Sequence, residues 1–376
     1  MKKKILFIIT YLELGGAQKQ LLSLIENLDR DKYSLYLCAG DDGCLKSKFK
    51  AVAFLKVYFV PELVRRISPL NDLIVFLKLY FFIRKNGFDI VHTHSPKASI
   101  LGRWAAYLAG VRSIIYTAHG WPFHDQLNQL LAKLYFFLEK VTALITKRII
   151  VVSASDLRKA LKNRVSSADK FAIIHYGIDI QWAENIFLKR KTSPPADNLI
   201  VNISCLKPQK GLRYFLDAVE TILRKRGDAR FSLIGDGPLY ENIKQEIEER
   251  KLEKEVVLEG WKDNIAESLS SASVMVIASL WEGLPLAVIE AVISGVPVVA
   301  TDTGGVLDII KDKNNGIILH RKDAQSIADA IISIMDNYKS WHKKVIAARE
   351  HLDLAYWSDK RMTELTEKTY QEVLSL

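Results

Sequence analysis

Cysteine is scarce in this chain: Cys38, Cys44 and Cys205 are the only three in 376 residues. They lack both the paired spacing of a metal knuckle and the density of a disulfide framework, and they fit a reducing compartment. Proline and glycine are sparse too, 10 and 19, while 49% of residues are hydrophobic. A disordered or fibrous chain is thereby excluded. No run reaches the roughly 18 uncharged apolar residues that a membrane-spanning helix needs. Residues 1–10 imitate a secretory signal, but the apolar core is short, and Glu13, Gly15 and Gly16 follow without a small-residue cleavage site. A first buried strand is expected there instead. There is no Ser-His-Asp or Cys-His pattern of a nucleophilic triad or dyad.

Charge is unevenly shared. Residues 1–190 hold 29 Lys and Arg against 15 Asp and Glu, a net of +14; residues 191–376 hold 24 against 28, a net of −4. A basic half points to an anionic partner surface. Nucleic acid and an anionic membrane both fit, and so does an ordinary solvated surface.

Short apolar runs alternate with longer helical stretches. Strands are expected over residues 5–10, 33–38, 53–60, 89–93, 113–117, 148–152 and 171–174, then over 199–204, 230–234, 256–258, 274–278, 296–300 and 316–319. Strands that alternate with helices build parallel sheets covered on both faces. Two such sets, on a chain too long for one ordinary core, predict an α/β protein of two Rossmann-like domains whose parallel sheets face a central cleft. The polar, proline-bearing stretch at 189–197 marks the join. The expected boundaries are 1–182, a linker at 183–197, and 198–355.

Ligands of open parallel sheets bind beyond the carboxyl ends of the strands, and most chemistry-bearing residues fall there. Glu282 follows the apolar run Val274–Ala278. Pro285 suits the first turn of a helix, and Glu290 lies about one and a half turns into it. A helix that begins at a strand end exposes its amides to an anion, and a carboxylate beside it suits sugar or ribose hydroxyls. Lys207, Lys210 and Gly211 follow residues 199–204 and open another helix, an arrangement fitted to a diphosphate. Gly15 and Gly16 allow close backbone approach or mark a plain turn. His92 and His94 alternate at a strand end without a third ligand at convincing spacing, so a pocket wall is favoured over a metal. His119 lies at the same sheet edge, with His124 close by. Trp261 suits stacking on a base or a half-buried core position. Asp302–Gly305 is expected to shape the same cleft. Asp29 and Asp31 precede a strand, at the wrong edge for catalysis, and are expected in a solvated turn.

The segment 279–301, with Lys210-Gly211, resembles the signature of retaining glycosyltransferases of family four, and the likeness runs from Gly15 to about His320. The segments His92–Ala98 and Thr117–Gly120 are similar to those of bacterial capsule and exopolysaccharide enzymes. The resemblance implies the two-Rossmann GT-B architecture, with a C-terminal helix over 356–376 packed back on the first domain. It implies transfer of a sugar, with retention, from a nucleotide diphosphate sugar, a UDP-sugar, to a glycan or polyprenyl-linked acceptor. By the same resemblance His119, Glu282 and Lys210 form the catalytic set. Gly15, Gly16, Lys207, Trp261, Gly283, Leu284, Pro285 and Glu290 line the donor site, with Glu290 at the ribose. His92, His94 and Lys97 lie on the acceptor side. No cofactor and no metal are implied, since the leaving phosphate helps deprotonate the acceptor. Two positions depart from the family pattern. Cys205 stands where an arginine is usual, with Lys207 as the candidate replacement, and His175-Tyr176 precede Gly177 where Pro-Asn is usual.

Cys205 also suits a non-catalytic sugar-nucleotide-binding or scaffold protein at the membrane. The N-terminal charge alone suits a nucleic-acid binder, but no recognition motif accompanies it, so no nucleic-acid partner is expected. Residues 73–83 are apolar on nearly every side, broken only by Lys78 and flanked by Arg65, Arg66, Arg84 and Lys85. A helix buried under the first sheet would read this way. Aromatic residues edged by cations also suit an anionic membrane interface, and a peripheral protein on the inner face of the cell membrane is the expectation adopted.

Overall fold

The computed structural model describes residues 2–123, 127–195 and 198–375. The chain divides into two units, Met1–Gly177 with Asp359–Leu376, and Ile178–Ser358. The first contains β1 (Lys3–Ile9), β2 (Tyr33–Ala39), β3 (Leu55–Phe59), β4 (Ile90–His94), β5 (Ser113–Ala118), β6 (Arg148–Val151) and β7 (Phe171–Ile173). They form one sheet in the order β3-β2-β1-β4-β5-β6-β7, and every neighbouring pair is parallel.

The pleat of β1 explains why both faces are covered. Ile5, Phe7 and Ile9 point to one face, where they meet Leu21, Leu24 and Ile25 of the helix Gly16–Asn27 and Met362, Tyr370 and Val373 of the helix Asp359–Ser375. Leu6 and Ile8 point to the other face, against Val75, Leu79 and Ile83 of Pro69–Asn86 and Ala98, Ala105 and Ala106 of Pro96–Leu108. A strand buried on both sides reads as a continuous apolar run rather than an alternating one.

The second unit holds β8 (Leu199–Ile203), β9 (Arg230–Ile234), β10 (Val256–Gly260), β11 (Val274–Ile277), β12 (Val298–Thr301) and β13 (Gly316–Leu319), ordered β10-β9-β8-β11-β12-β13 and again parallel throughout. The expected two Rossmann-like sheets are present, and all thirteen expected strands are found, most within one or two residues of their expected bounds. Strand order turns back at β1/β4 in one sheet and at β8/β11 in the other. Each reversal opens a crevice beyond the carboxyl ends of the strands.

Residues 183–192 are not an extended linker. They belong to the helix Ile180–Thr192, capped by Asp179, whose carboxylate accepts the Trp182 amide at 3.1 Å. Ala183, Ile186, Phe187 and Arg190 are buried along one side of that helix. Arg190 donates to the carbonyls of Gly295, Leu269 and Ala272 at 2.9, 2.8 and 2.7 Å. The neighbouring Lys189 and Lys191 lent the stretch its linker-like composition, while a buried arginine among carbonyls holds it in the fold.

Asp29 accepts the Asp31 amide at 2.8 Å in the turn before β2, at the amino edge of the sheet. The segment 73–83 is part core and part surface. Val75 and Leu79 are fully buried, whereas Leu73 is 55% and Phe81 64% exposed. Among the described residues no helix is long and apolar enough to cross a membrane.

Candidate active site

In the first unit, Gly15 precedes the helix Gly16–Asn27, which no side chain caps. Ser95 follows β4 with φ 63° and ψ 142°, a conformation rare outside glycine. Its hydroxyl accepts the Thr10 amide at 3.0 Å and lies 2.8 Å from the Thr10 hydroxyl. The ends of β1 and β4 are thus tied together at the point where strand order reverses. Nothing local in the sequence marked Ser95 as strained.

His92 and His94 lie two residues apart on β4, so they share a face. That face is the one covered by the helix Asp359–Ser375. His92 is completely buried, with Nδ1 2.8 Å from the Tyr370 hydroxyl and Nε2 2.7 Å from the Thr117 hydroxyl. Both its nitrogens are used inside the core, and it lines a small cavity together with His94, Thr117 and His119. Lys97 pairs with Asp72 and donates to the Arg66 carbonyl at 2.5 Å, joining the helices Pro69–Asn86 and Pro96–Leu108. His94 Nδ1 lies 2.9 Å from His119 Nε2, and His119 Nδ1 lies 2.7 Å from the Tyr176 hydroxyl. His124 falls outside the described residues.

Desolvation holds these rings neutral. It pulls both His92 and His119 down to about 3, and His94 well below the usual histidine range, with neighbouring histidines adding to the effect on His92 and His94. Part of His119 reaches the surface, but its nitrogens are taken by His94 and Tyr176. The linkage has a definite sign. The unfolded chain binds protons on these rings near pH 6.5 and the folded one does not, so stability falls as pH drops below about 6.5. For the enclosed pair His92 and His94 the slope approaches about 1.4 kcal/mol per pH unit for each ring. Melting temperature measured between pH 7 and 4.5 should fall, and His94→Asn should make the fall shallower. An unchanged slope would mean that His94 is protonated in the native state.

In the second unit, the turn Pro208–Lys210 follows β8 and leads through Gly211 into the helix Leu212–Lys225. Gly211 has φ +60°, and a Cβ there would lie 2.2 Å from the Ala278 carbonyl oxygen. Only glycine lets this turn press against the end of β11. Lys210 Nζ consequently reaches Glu282 Oε1 at 2.5 Å, and the Ser279 hydroxyl donates to the same oxygen at 2.7 Å. Thr301, at the end of β12, donates to the Ser279 carbonyl at 2.6 Å. Gly304 lies at φ +55°, where a Cβ would be 2.4 Å from the carbonyl oxygens of both Glu282 and Gly283. Ser279 and Thr301 are supports that the sequence did not single out, and Gly304 falls in the turn Asp302–Gly305 expected to shape the cleft.

Gly283, Leu284 and Pro285 lead into the helix Leu286–Ile293, whose N-terminal amides no side chain caps, and Glu290 lies on that helix, partly exposed. Lys207 and Cys205 are both partly exposed in the loop after β8. Trp261 follows β10, partly exposed, with Nε1 donating to Asp263 at 3.3 Å. The second unit thus brings Lys210, Glu282 and an open helix N-terminus to one carboxyl edge. A cation and a helix N-terminus suit a diphosphate, and a buried-side carboxylate suits hydroxyl groups. Among the described residues, no group of three His, Cys, Asp or Glu is arranged to hold a metal ion.

Two Rossmann-like units, one with an anion-ready strand edge, suit a protein that binds a nucleotide or other phosphate-bearing ligand. Residues 14–182 match the family described as Glycosyltransferase Family 4, and residues 184–351 match Glycosyl transferases group 1. The chain is 32% identical over 333 residues to UDP-Gal:alpha-D-GlcNAc-diphosphoundecaprenol alpha-1,3-galactosyltransferase of Escherichia coli, covering 86% of each chain. It is 24% identical to the O-antigen biosynthesis glycosyltransferase WbnH of Escherichia coli, over 92% of this chain and 94% of that one. Among solved structures, HepE of Anabaena in complex with UDP-glucose shares the fold at TM-score 0.81 and 19% identity, over 98% and 99% of the two chains. The chain belongs to glycosyltransferase family 4 and is a glycosyltransferase.

Proposed function

We propose that the protein moves a sugar from a UDP-sugar to a glycan or polyprenyl-linked acceptor, with retention at the anomeric carbon, in the building of a bacterial surface polysaccharide. The observation that carries this is the meeting of Lys210, Glu282 and the uncapped helix Leu286–Ile293 at one carboxyl edge. The E. coli relative is named for a UDP-galactose donor and a diphosphoundecaprenol-linked acceptor, which supports both substrate classes. Lys210 and the helix amides stabilise the departing diphosphate, an electrostatic contribution that acts where charge develops. Glu282 holds sugar hydroxyls and Glu290 the ribose. The bond from the anomeric carbon to the diphosphate breaks, the acceptor oxygen bonds to that carbon, and its proton passes to the diphosphate. No metal is required in this scheme. The test is release of UDP and a glycosylated product when UDP-sugar and a lipid-linked acceptor are mixed with the enzyme in chelator, with the anomeric configuration read by NMR. UDP-sugar binding without turnover across a panel of acceptors would favour the non-catalytic alternative, and inversion would sink retention.

The same scheme places the enzyme at the inner face of the cell membrane. The helix Pro69–Asn86 leaves Leu70, Leu73, Leu77 and Phe81 exposed, and the helix Gln129–Leu144 leaves Leu130, Leu134, Phe137 and Leu144 exposed. The last four follow helical spacing and form one stripe. Each helix carries a single acid, and both acids are used: Asp72 pairs with Lys97, and Glu139 is buried against Arg103. Arg84, Lys85, Lys133 and Lys140 edge the apolar surface without a competing carboxylate on either helix. That combination suits an anionic bilayer surface, where each basic residue contributes about 1 kcal/mol. Flotation with phosphatidylglycerol-containing vesicles should rise with anionic content and fall with salt. Reversal of Arg84, Lys85, Lys133 and Lys140 to Glu should release the protein. If the wild type stays unbound at low salt, the membrane assignment is wrong.

A further inference from the structure

His119 has no free ring nitrogen. Nε2 meets His94 at 2.9 Å and Nδ1 meets Tyr176 at 2.7 Å. The His94 and His119 rings also stack, with centroids 5.2 Å apart and planes inclined by 25°. Behind His94 stands His92, 4.3 Å away between centroids. Tyr176 is only 4% exposed, so its ring has little room to swing. Its main chain is pinned as well. Gln20 donates to the Gly177 carbonyl at 2.8 Å and accepts the Gly177 amide at 3.0 Å. Gln20 lies on the helix that Gly15 and Gly16 open. One clamp thus ties the turn after β5 to β4, to the segment after β7 and to the glycine loop after β1.

We propose that Tyr176 is a positioning residue for sugar transfer, holding the His119 ring with His94 so that the turn at His119 and Gly120 presents a fixed surface to the donor sugar. This rests on the proposed sugar transfer and on the resemblance that counts His119 in its catalytic set. The imidazole acts as a peg and takes no part in proton transfer, since both nitrogens are committed inside the protein. Neutral rings in a row can donate in either sense along Tyr176, His119 and His94. In both senses the chain ends at His94 Nε2, which is buried and has no hydrogen-bond partner among the described residues. It ends in a cavity of about 30 Å³ lined also by Gln20, Thr117 and Thr366, large enough for one water. Such a water would satisfy that nitrogen whichever way the protons run.

The test is a double-mutant cycle on the full chain, with kcat, KM for the UDP-sugar and UDP affinity measured for each variant. Tyr176→Phe keeps the ring and removes only the hydroxyl. It should lower kcat at least ~10-fold, because small misplacements near the chemistry are costly, while UDP affinity stays near the wild-type value. The double variant His119→Ala with Tyr176→Phe should be no slower than His119→Ala alone, since one residue acts through the other. A purely structural tyrosine would instead give losses that multiply. A Tyr176→Phe enzyme at full speed, or multiplicative losses, overturns the clamp while leaving the site assignment standing. A fully active His119→Ala overturns both. Should Tyr176→Phe fold poorly, His94→Leu removes the other half of the clamp and must give the same pattern.

Discussion

Lys210→Ala is expected to leave a folded protein whose rate of transfer is lower by ~10²–10³, the usual loss when an electrostatic contact to a developing charge is removed. Glu282→Ala should be comparably slow. The two side chains share one contact, at 2.5 Å, so their effects should not simply add. The pair is also only slightly exposed, 15% for Lys210 and 7% for Glu282, and each replacement strips a partner from the other. Thermal unfolding must therefore accompany the kinetics, and a loss of rate counts only where the melting temperature is near that of the wild type. Lys207→Ala separates the two accounts of the cation missing at Cys205. If Lys207 has taken its place, UDP affinity should drop about as far as in Lys210→Ala. A silent Lys207→Ala means that Lys210 and the helix amides serve alone. Near-normal transfer by both Lys210→Ala and Glu282→Ala would remove the strand-edge site from the mechanism.

The largest effect on stability is expected at a place with no role in the chemistry. Arg103 and Glu139 form an ion pair at 2.7 Å with side chains 0% and 1% exposed. Arg103 also donates to the Thr146 hydroxyl and the Ser99 carbonyl, both at 3.2 Å, and its guanidinium lies 4.4 Å from the Tyr116 ring centroid. Removing one partner leaves a buried charge uncompensated, which costs about 3–5 kcal/mol. Glu139→Ala should therefore shift the unfolding of the first unit to markedly lower urea. Replacing both partners together, Arg103→Met with Glu139→Leu, should recover most of that loss, because an apolar pair of similar volume avoids the desolvation of two charges. A mild Glu139→Ala would mean that water reaches Arg103.

Family membership and the thirteen strands were legible because they rest on short-range pattern. Continuous apolar runs between helices fix a parallel sheet covered on both sides, and a parallel sheet fixes where its ligands lie. Lys210, Glu282 and His119 were therefore placed at carboxyl edges from their position after a strand. What the sequence could not state was what covers each face. The period of β4 puts His92 and His94 side by side, but only the arrival of Tyr370, 278 residues away along the chain, encloses His92. That Lys97 pairs with Asp72 across two helices was equally invisible. Helix 180–192 was hidden by the lysines around its one buried arginine. Arg103 finds Glu139 across 36 residues and His119 finds Tyr176 across 57. Local sequence determines which side of an element a residue occupies. Whether that side meets solvent, a partner charge or another helix is decided by packing, because burial and pairing energies depend on groups that only the folded chain brings together.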